Sequence, residues 1–300
     1  MGKMKASSTG SIIHTGNESG MQRVDSFIAF IREANELLQK ETDISPANPL
    51  VTDIISHLLL QLRSRYVPEE VQVVLNNEYI RMNQQRLQDK LSEAEFLVEL
   101  RDSRHFCNLE GPALDIVTSL PNWNSYISLV SQELHILRQF IRQDGHAKKS
   151  PIIFVGSGPM PISPIILHLI GGEEVVCLEM DSVAYDASCK LLEHLSLEDK
   201  VTVVMGNGSE FDYSSYSRIF VASLVRNKQA VLEQISRTSG DPLVAVRTAE
   251  GMKRIMYEAI DESQLNKQGW RILGRTCPEE NLVINSTLFL EHVTHPTLTN

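Results

Sequence analysis

The apolar residues of the first half of the chain recur at helical spacing. Segments such as "FIAFIREANELL" and "VTDIISHLLLQLRSRY" place an apolar residue every three or four positions, and the prolines of "SPANP" and "VPEE" separate successive helices. The pattern continues to "NSYISLVSQELHILRQFIRQ" and ends at the polar stretch "DGHAKKSP". We therefore expect an all-helical N-terminal domain over residues 21–148.

The period changes after this polar stretch. Short, almost continuously apolar runs now alternate with helical ones, and they occupy residues 152–156, 174–180, 201–207, 218–223 and 242–248. This alternation is typical of a parallel sheet covered by helices on both faces. "GWRILGRTCP" and "LVINSTLFLEH" are candidate closing strands. The pattern predicts an α/β domain over residues 149–300, with a Rossmann-like, doubly wound, mostly parallel sheet.

Composition and charge exclude several classes of protein. The chain has 300 residues, 42% of them hydrophobic, which suits a folded core, and its net charge of -10 disfavours a nucleic-acid partner. Its four cysteines form no CxxC pair, so we expect neither a metal site nor a disulfide framework. No apolar run is long enough for a membrane span, and the Ser- and Gly-rich residues 1–20 are expected to be a disordered leader. These features predict a cytoplasmic protein.

The stretch "PIIFVGSGPMPISP" follows the helical domain and contains the candidate ligand loop. Gly156 and Gly158 lie where the first strand turns into a helix, which is the ligand edge of such a sheet. A dinucleotide fingerprint requires a third glycine at the position of Pro161. Pro159, Pro161 and Pro164 also remove amide donors that a phosphate would need. The loop therefore favours S-adenosylmethionine over NAD.

A carboxylate ends the second strand and supports the same assignment. Glu179 is placed to accept both hydroxyls of a ribose, and Asn207 follows the third strand, within reach of an adenine edge. A structural turn in which Glu179 only caps a helix is the alternative, and it predicts no adenosyl ligand. The predicted cofactor-binding residues are Gly156, Ser157, Gly158, Pro159, Glu179, Met180 and Asn207.

Four stretches resemble the nicotianamine synthases and their bacterial relatives, the histidine 2-aminobutanoyltransferases of opine-metallophore biosynthesis. They are "FVGSGPMPIS", "VVCLEMD", "VRTAEGMKRIMYEAID" and "CPEENLVINSTLFLEH". The resemblance implies a class I S-adenosylmethionine-binding fold and a co-substrate that is consumed. Its 3-amino-3-carboxypropyl (2-aminobutanoyl) group passes to an amine, and methylthioadenosine leaves. It implies no metal cofactor, because the product rather than the protein is the metal ligand.

The resemblance also implies site residues. An attacking ammonium must first lose a proton, which a carboxylate or phenolate can take. By likeness to the family, Glu110 acts near the amine and Tyr126 holds the reacting ends. The spacing "Y-x-x-L-x-x-x-E" pairs Tyr126 with Glu133 on one helix face, although a packing or solvated role for both stays open. Arg247, at the end of the fifth strand, is expected to bind a substrate carboxylate, with Tyr257 as a further substrate-binding candidate.

The family contains two kinds of transfer, and the alternatives stay open. A shortened segment before Tyr126 and the departing loop "SGPMPIS" favour a single transfer to the α-amine of histidine. A partner opine dehydrogenase would then complete a metallophore for metal acquisition, and the family often forms homodimers. The first alternative is a nicotianamine synthase, which repeats the transfer and closes a ring. The others are an S-adenosylmethionine-dependent methyltransferase and a non-enzymatic adenosyl-binding module.

Overall fold

The computed structural model describes residues 12–144, 150–277 and 285–293, without the side chains of residues 12–20 and 142–144. These residues divide into two compact units, Met1–Leu91 and Ser92–Asn300. In the described part of the chain, no helix is long and apolar enough to cross a membrane.

Helices form the first unit. They are α1 (Ile12–Lys40), α2 (Pro49–Leu62), α3 (Pro68–Asn76) and the first part of α4 (Glu78–Phe106). Prolines open α2 and α3, where a missing N–H leaves no hydrogen bond unmade. Helix α1 begins inside the predicted leader, because no proline interrupts it and glycine weakens a helix without ending it. The rest of that leader, residues 1–11, lies outside the described residues.

A seven-stranded sheet dominates the second unit. Its strands are β1 (Ile152–Val155), β2 (Val175–Glu179), β3 (Val201–Met205), β4 (Arg218–Val221), β5 (Leu243–Thr248), β6 (Trp270–Arg275) and β7 (Ser286–His292). Their order is β3-β2-β1-β4-β5-β7-β6, with the first five parallel and β7 antiparallel to both neighbours. The predicted doubly wound, mostly parallel sheet is confirmed. The antiparallel insertion of β7 was not predicted.

Helices cover the sheet of the second unit. They are α5 (Ala113–Thr118), α6 (Trp123–Asp144), α7 (Ile162–Gly171), α8 (Ser182–His194), α9 (Lys228–Thr238) and α10 (Glu262–Leu265), with short 3-10 turns at Gly251–Ile255 and Asn266–Gln268. Apolar residues alternate between the two faces along β1. Ile152 and Phe154 enter one buried cluster, whereas Ile153 and Val155 enter the other. Parallel pairing places the carboxyl ends of β1, β2, β4 and β5 together at one edge of the sheet.

The predicted domain boundary at residue 148 differs from the division between the compact units, which falls between Leu91 and Ser92. Helix α6 belongs with the sheet because Val130, Leu134 and Leu137 are buried in the same apolar cluster as Phe154. The change of period therefore marks where the strands begin, whereas tertiary packing decides where the second unit begins.

Candidate functional site

The glycine loop between β1 and α7 approaches its neighbours closely. Gly156 and Gly158 have φ values of 77° and 69°, a left-handed backbone that glycine adopts readily. A Cβ at Gly156 would lie 2.5 Å from Val225 Cγ2, and one at Gly158 would lie 2.8 Å from Glu99 Oε2. Ser157 and Pro159 are buried in the same loop. Glycine therefore suits both positions, because the backbone is left-handed there and a Cβ would meet a neighbouring side chain.

The prolines of this loop lie where the sequence predicts them. Pro161 is the N-cap of α7, and Pro164 lies in its first turn. The first-turn N–H groups of a helix have no intrahelical acceptor, so proline costs the helix little there. The loop consequently presents few amide donors, which suits an adenosyl ligand better than a pyrophosphate.

Glu179 ties the glycine loop to the start of α8. Its Oε2 accepts a hydrogen bond from the Gly158 N–H at 2.9 Å, and its Oε1 accepts from the N–H groups of Met180 and Asp181 at 2.9 and 3.0 Å. Asp181, not Glu179, caps α8, because its side chain accepts from the first N–H groups of that helix. Capping of α8 therefore does not account for a glutamate at position 179. Its position suits a ribose, and the exposed side chain of Met180 (69%) suits an adenine face.

Asn207 closes a turn after β3. Its Oδ1 accepts hydrogen bonds from the N–H and the hydroxyl of Ser209, at 3.0 and 2.9 Å. The side chain lies at the predicted edge of the sheet, but its carbonyl oxygen is already engaged within its own turn. Contact with an adenine stays a prediction.

Two glutamates on α4 face the glycine loop, and we call Glu95 and Glu99 the acidic pair. They are four residues apart and so lie on one side of the helix, and both are only half-buried. The Tyr257 hydroxyl donates a hydrogen bond to Glu95 Oε2 at 3.1 Å, whereas Glu99 Oε2 points toward Gly158. Sequence reasoning missed both residues. The signal was two of the three glutamates of "EAEFLVEL", which lie on one helix face among apolar residues.

The surroundings of the acidic pair favour protonation. Burial raises the pKa of Glu95 to about 7, and the hydrogen bond from Tyr257 partly opposes this. Burial also raises the pKa of Glu99 well above its usual range, with further increases from the negative charges of Glu95, Glu179 and Asp102. A carboxylate whose pKa lies near neutrality is well matched to accepting a proton from an amine.

Two tyrosines complete this cluster. Burial, followed by the charges of Glu99 and Glu95, raises the pKa of the Tyr126 phenol, and nearby Arg247 only partly counters the increase. Burial and Glu95 likewise raise the pKa of Tyr257. Both phenols therefore stay protonated at neutral pH and act as hydrogen-bond donors. The structure places Tyr126 near Tyr257. Because both phenols stay protonated, a carboxylate is better suited than a phenolate to accept a proton.

Glu133 and Arg247 form a buried ion pair with each other. Arg247 donates from Nε and Nη2 to the two oxygens of Glu133, each at 3.0 Å, and Glu133 is fully buried. Ser163 accepts a further hydrogen bond from Arg247 at 2.9 Å, and Thr287 donates to Glu133 at 2.6 Å. The catalytic role expected for Glu133 and the substrate role expected for Arg247 find no support in this geometry. Both groups are engaged in joining α6 to β5.

Glu110 lies outside the cluster. It is exposed in the connection between α4 and α5, and the neighbouring Leu109 carbonyl is 2.9 Å from His194 Nε2. His194 ends α8, which starts at the ligand edge after β2 and runs back to the opposite edge of the sheet. The structure thus places Glu110 away from the glycine loop, whereas Glu99 lies beside that loop.

The residues around the glycine loop have two chemical capacities. The glycine loop, Glu179 and Met180 suit an adenosyl group, and the acidic pair beside them suits the removal of a proton from an amine. Within residues 12–144, 150–277 and 285–293, no three His, Cys, Asp or Glu side chains converge on a metal site.

Comparison with known proteins identifies related sequences. A family model described as "Nicotianamine synthase protein" matches residues 21–297. Probable nicotianamine synthase 2 of Hordeum vulgare is 22% identical over 283 residues, covering 90% of this chain and 81% of that protein. L-histidine 2-aminobutanoyltransferase of Pseudomonas aeruginosa is 29% identical over 142 residues, covering 47% of this chain and 52% of that protein.

Solved structures share the fold. A mutant of MtNAS in complex with S-adenosylmethionine superposes with a TM-score of 0.72 at 18% identity, covering 89% of this chain and 98% of that one. MtNAS in complex with MTA and tNA gives a TM-score of 0.71 at 19% identity, covering 88% of this chain and 97% of that one.

Proposed function

The chain belongs to the nicotianamine synthase family and is thus an S-adenosylmethionine-dependent aminobutanoyl transferase; from this premise we propose that its acceptor is the α-amine of histidine. The observation that carries the proposal is the position of the acidic pair, since a proton-accepting carboxylate lies directly beside the glycine loop. A histidine acceptor is supported by the similarity to the Pseudomonas aeruginosa histidine transferase.

In this proposal the glycine loop and Glu179 bind the adenosyl part of the co-substrate. Glu179 accepts the ribose hydroxyls on the lone pairs that its three backbone donors leave free, and Met180 covers the adenine. Bound S-adenosylmethionine supplies a sulfonium that activates the carbon next to it. Because Gly158 lies between Glu179 and Glu99, the same loop positions the co-substrate next to the proton acceptor.

Glu99 removes the proton that keeps the acceptor amine from reacting. Its raised pKa strengthens its affinity for the proton that it takes from the amine. Tyr126 and Tyr257 remain protonated and donate hydrogen bonds that orient the reacting groups or the carboxylates. We therefore assign proton transfer to Glu99, supported by Glu95, and orientation to the two tyrosines.

Incubation of the purified protein with S-adenosylmethionine and either L- or D-histidine tests the proposal. Mass spectrometry should show histidine heavier by one aminobutanoyl group, together with methylthioadenosine. A product built from S-adenosylmethionine alone would show nicotianamine synthesis instead of histidine transfer. The similarity to nicotianamine synthases of Hordeum vulgare supports this alternative. A methylated acceptor with S-adenosylhomocysteine would refute aminobutanoyl transfer altogether.

The place of the product in a pathway is also a proposal. The transferred arm carries a free primary amine, which a dehydrogenase of the opine type can join reductively to a 2-oxo acid. We expect a metallophore from that second reaction and a homodimeric transferase in the cytoplasm. Addition of an opine dehydrogenase, NADPH and pyruvate to the reaction should convert the histidine product, and light scattering should give twice the chain mass. An unconverted product would contradict this placement.

A further inference from the structure

Two carboxylates, those of Glu179 and Glu99, approach Gly158, and a third, that of Glu95, lies close to Glu99. Glu179 accepts from the Gly158 N–H, and Glu99 approaches its Cα from the other side, with Glu95 one helical turn away. Among the described residues, no Lys, Arg or His forms a salt bridge with any of the three. Such a concentration of negative charge among partly buried carboxylates favours retention of a proton.

Groups from every neighbouring element contribute to this environment. Helix α4 supplies Asp102 beside the acidic pair, and β2 supplies Glu179. Helix α6 supplies the Tyr126 phenol, and the segment after β5 supplies the Tyr257 phenol. Arg247 lowers the pKa of Tyr126, but its guanidinium is paired with Glu133. The neutral phenols and the paired arginine leave the acidic pair uncompensated.

We propose that Glu95 and Glu99 act as one proton-holding unit that releases a proton when the positively charged sulfonium binds and takes one back from the acceptor ammonium during transfer. The inference rests on the proposed function, because it needs S-adenosylmethionine in this cleft. It assigns Glu95 a part in the reaction that neither the sequence nor the comparisons give it.

The charges balance through the reaction. The acceptor ammonium gives one proton to the pair, and the nitrogen lone pair then forms the new N–C bond. The electron pair of the broken C–S bond goes to sulfur, which becomes a neutral thioether. Two positive charges thus become one, on the secondary ammonium of the product, and the pair carries the proton that was lost. When the sulfonium disappears, the proton affinity of the pair rises at the moment it must keep the proton.

The effect is largest near neutral pH. Because the pKa of Glu95 is about 7, a modest change in local charge alters its ionised fraction strongly. A decrease of about one pKa unit raises the ionised fraction from about one half to about nine-tenths at that pH. Binding of the sulfonium should therefore release on the order of half a proton per chain.

Isothermal titration calorimetry at pH 7, in buffers of different ionisation enthalpy, measures this release without any acceptor. S-adenosylmethionine should release protons, whereas S-adenosylhomocysteine, which has a neutral sulfur, should release few. Glu95→Gln should remove most of the difference between the two ligands. Glu93→Gln, at an exposed position on the same helix, is the matched control and should leave it unchanged.

A second variant tests the sign without removing a carboxylate. Tyr257→Phe deletes the hydrogen bond that lowers the pKa of Glu95, so it should increase proton release at pH 7.5. Equal proton exchange for the two ligands in the unmodified protein would overturn this inference while leaving the transfer reaction intact. Failure of S-adenosylmethionine to bind would refute the proposed function and this inference together.

Discussion

Removing either partner of the Glu133–Arg247 ion pair should destabilise the folded chain more than removing both. The exposed fractions of the two side chains are 0% and 6%, so neither charge has access to water. Glu133→Met leaves a buried guanidinium without its anion, and Arg247→Met leaves a buried carboxylate without its cation. Replacement of both by methionine removes both charges and keeps most of the side-chain volume.

The expected magnitude follows from the burial of the pair. Breaking a buried pair by removing one partner costs about 3–5 kcal/mol of unfolding free energy, whereas exchange of both for apolar residues is often close to neutral. Ser163 and Thr287 each lose one hydrogen bond in the double variant, at a net cost of about 0.5–1.5 kcal/mol per bond. We therefore expect the double variant to lose no more than either single variant. The single variants should lower Tm by roughly 10 °C.

Guanidinium chloride unfolding followed by circular dichroism measures these free energies. Glu133→Met, Arg247→Met and the double methionine variant form a double-mutant cycle with the unmodified protein, and a coupling of at least about 2 kcal/mol is expected. Glu174→Gln, at an exposed position, serves as the control. Single variants that lose less than about 1 kcal/mol, or a double variant that loses the sum of the two, would refute a structural role for the pair.

We make four further predictions about the residues around the glycine loop. Glu99→Gln should lower the rate of methylthioadenosine release on the order of 10²-fold or more with little change in S-adenosylmethionine affinity, whereas Glu110→Gln should stay within about two-fold, as steady-state assays would show. Glu179→Ala removes the acceptor for three backbone N–H groups and should weaken S-adenosylmethionine binding about 10-fold or more by calorimetry. Gly158→Ala should weaken the same binding strongly, because its φ is 69° and its Cβ would lie 2.8 Å from a carboxylate oxygen, whereas Gly240→Ala has no atom within 4 Å and should not. Because the acidic pair must be ionised to accept a proton and Glu95 has a pKa of about 7, kcat/KM should rise with pH through neutrality; a rate that falls there would contradict a carboxylate base.

The order of residues in short segments was sufficient to predict the fold class and to single out the glycine loop and Glu179 as candidates. The apolar runs identify all seven strands, because a strand buried on both faces requires apolar residues at successive positions. The positions of the glycine loop, its prolines and Glu179 can also be predicted from the sequence. They depend on backbone conformation within a few residues and on the edge at which parallel strands end. These are properties of short segments and need no knowledge of distant contacts.

Only the tertiary structure decided which charged groups meet. Arg247 and Glu133 are 114 residues apart in the chain, and each alone resembles a site residue until the other is seen to neutralise it. Nothing in the sequence distinguishes Glu95 and Glu99 from other helix glutamates, and only folding places Glu99 against Gly158 with Glu95 close to it. The pKa of a side chain depends on burial and on neighbouring charge, and packing between distant segments determines both.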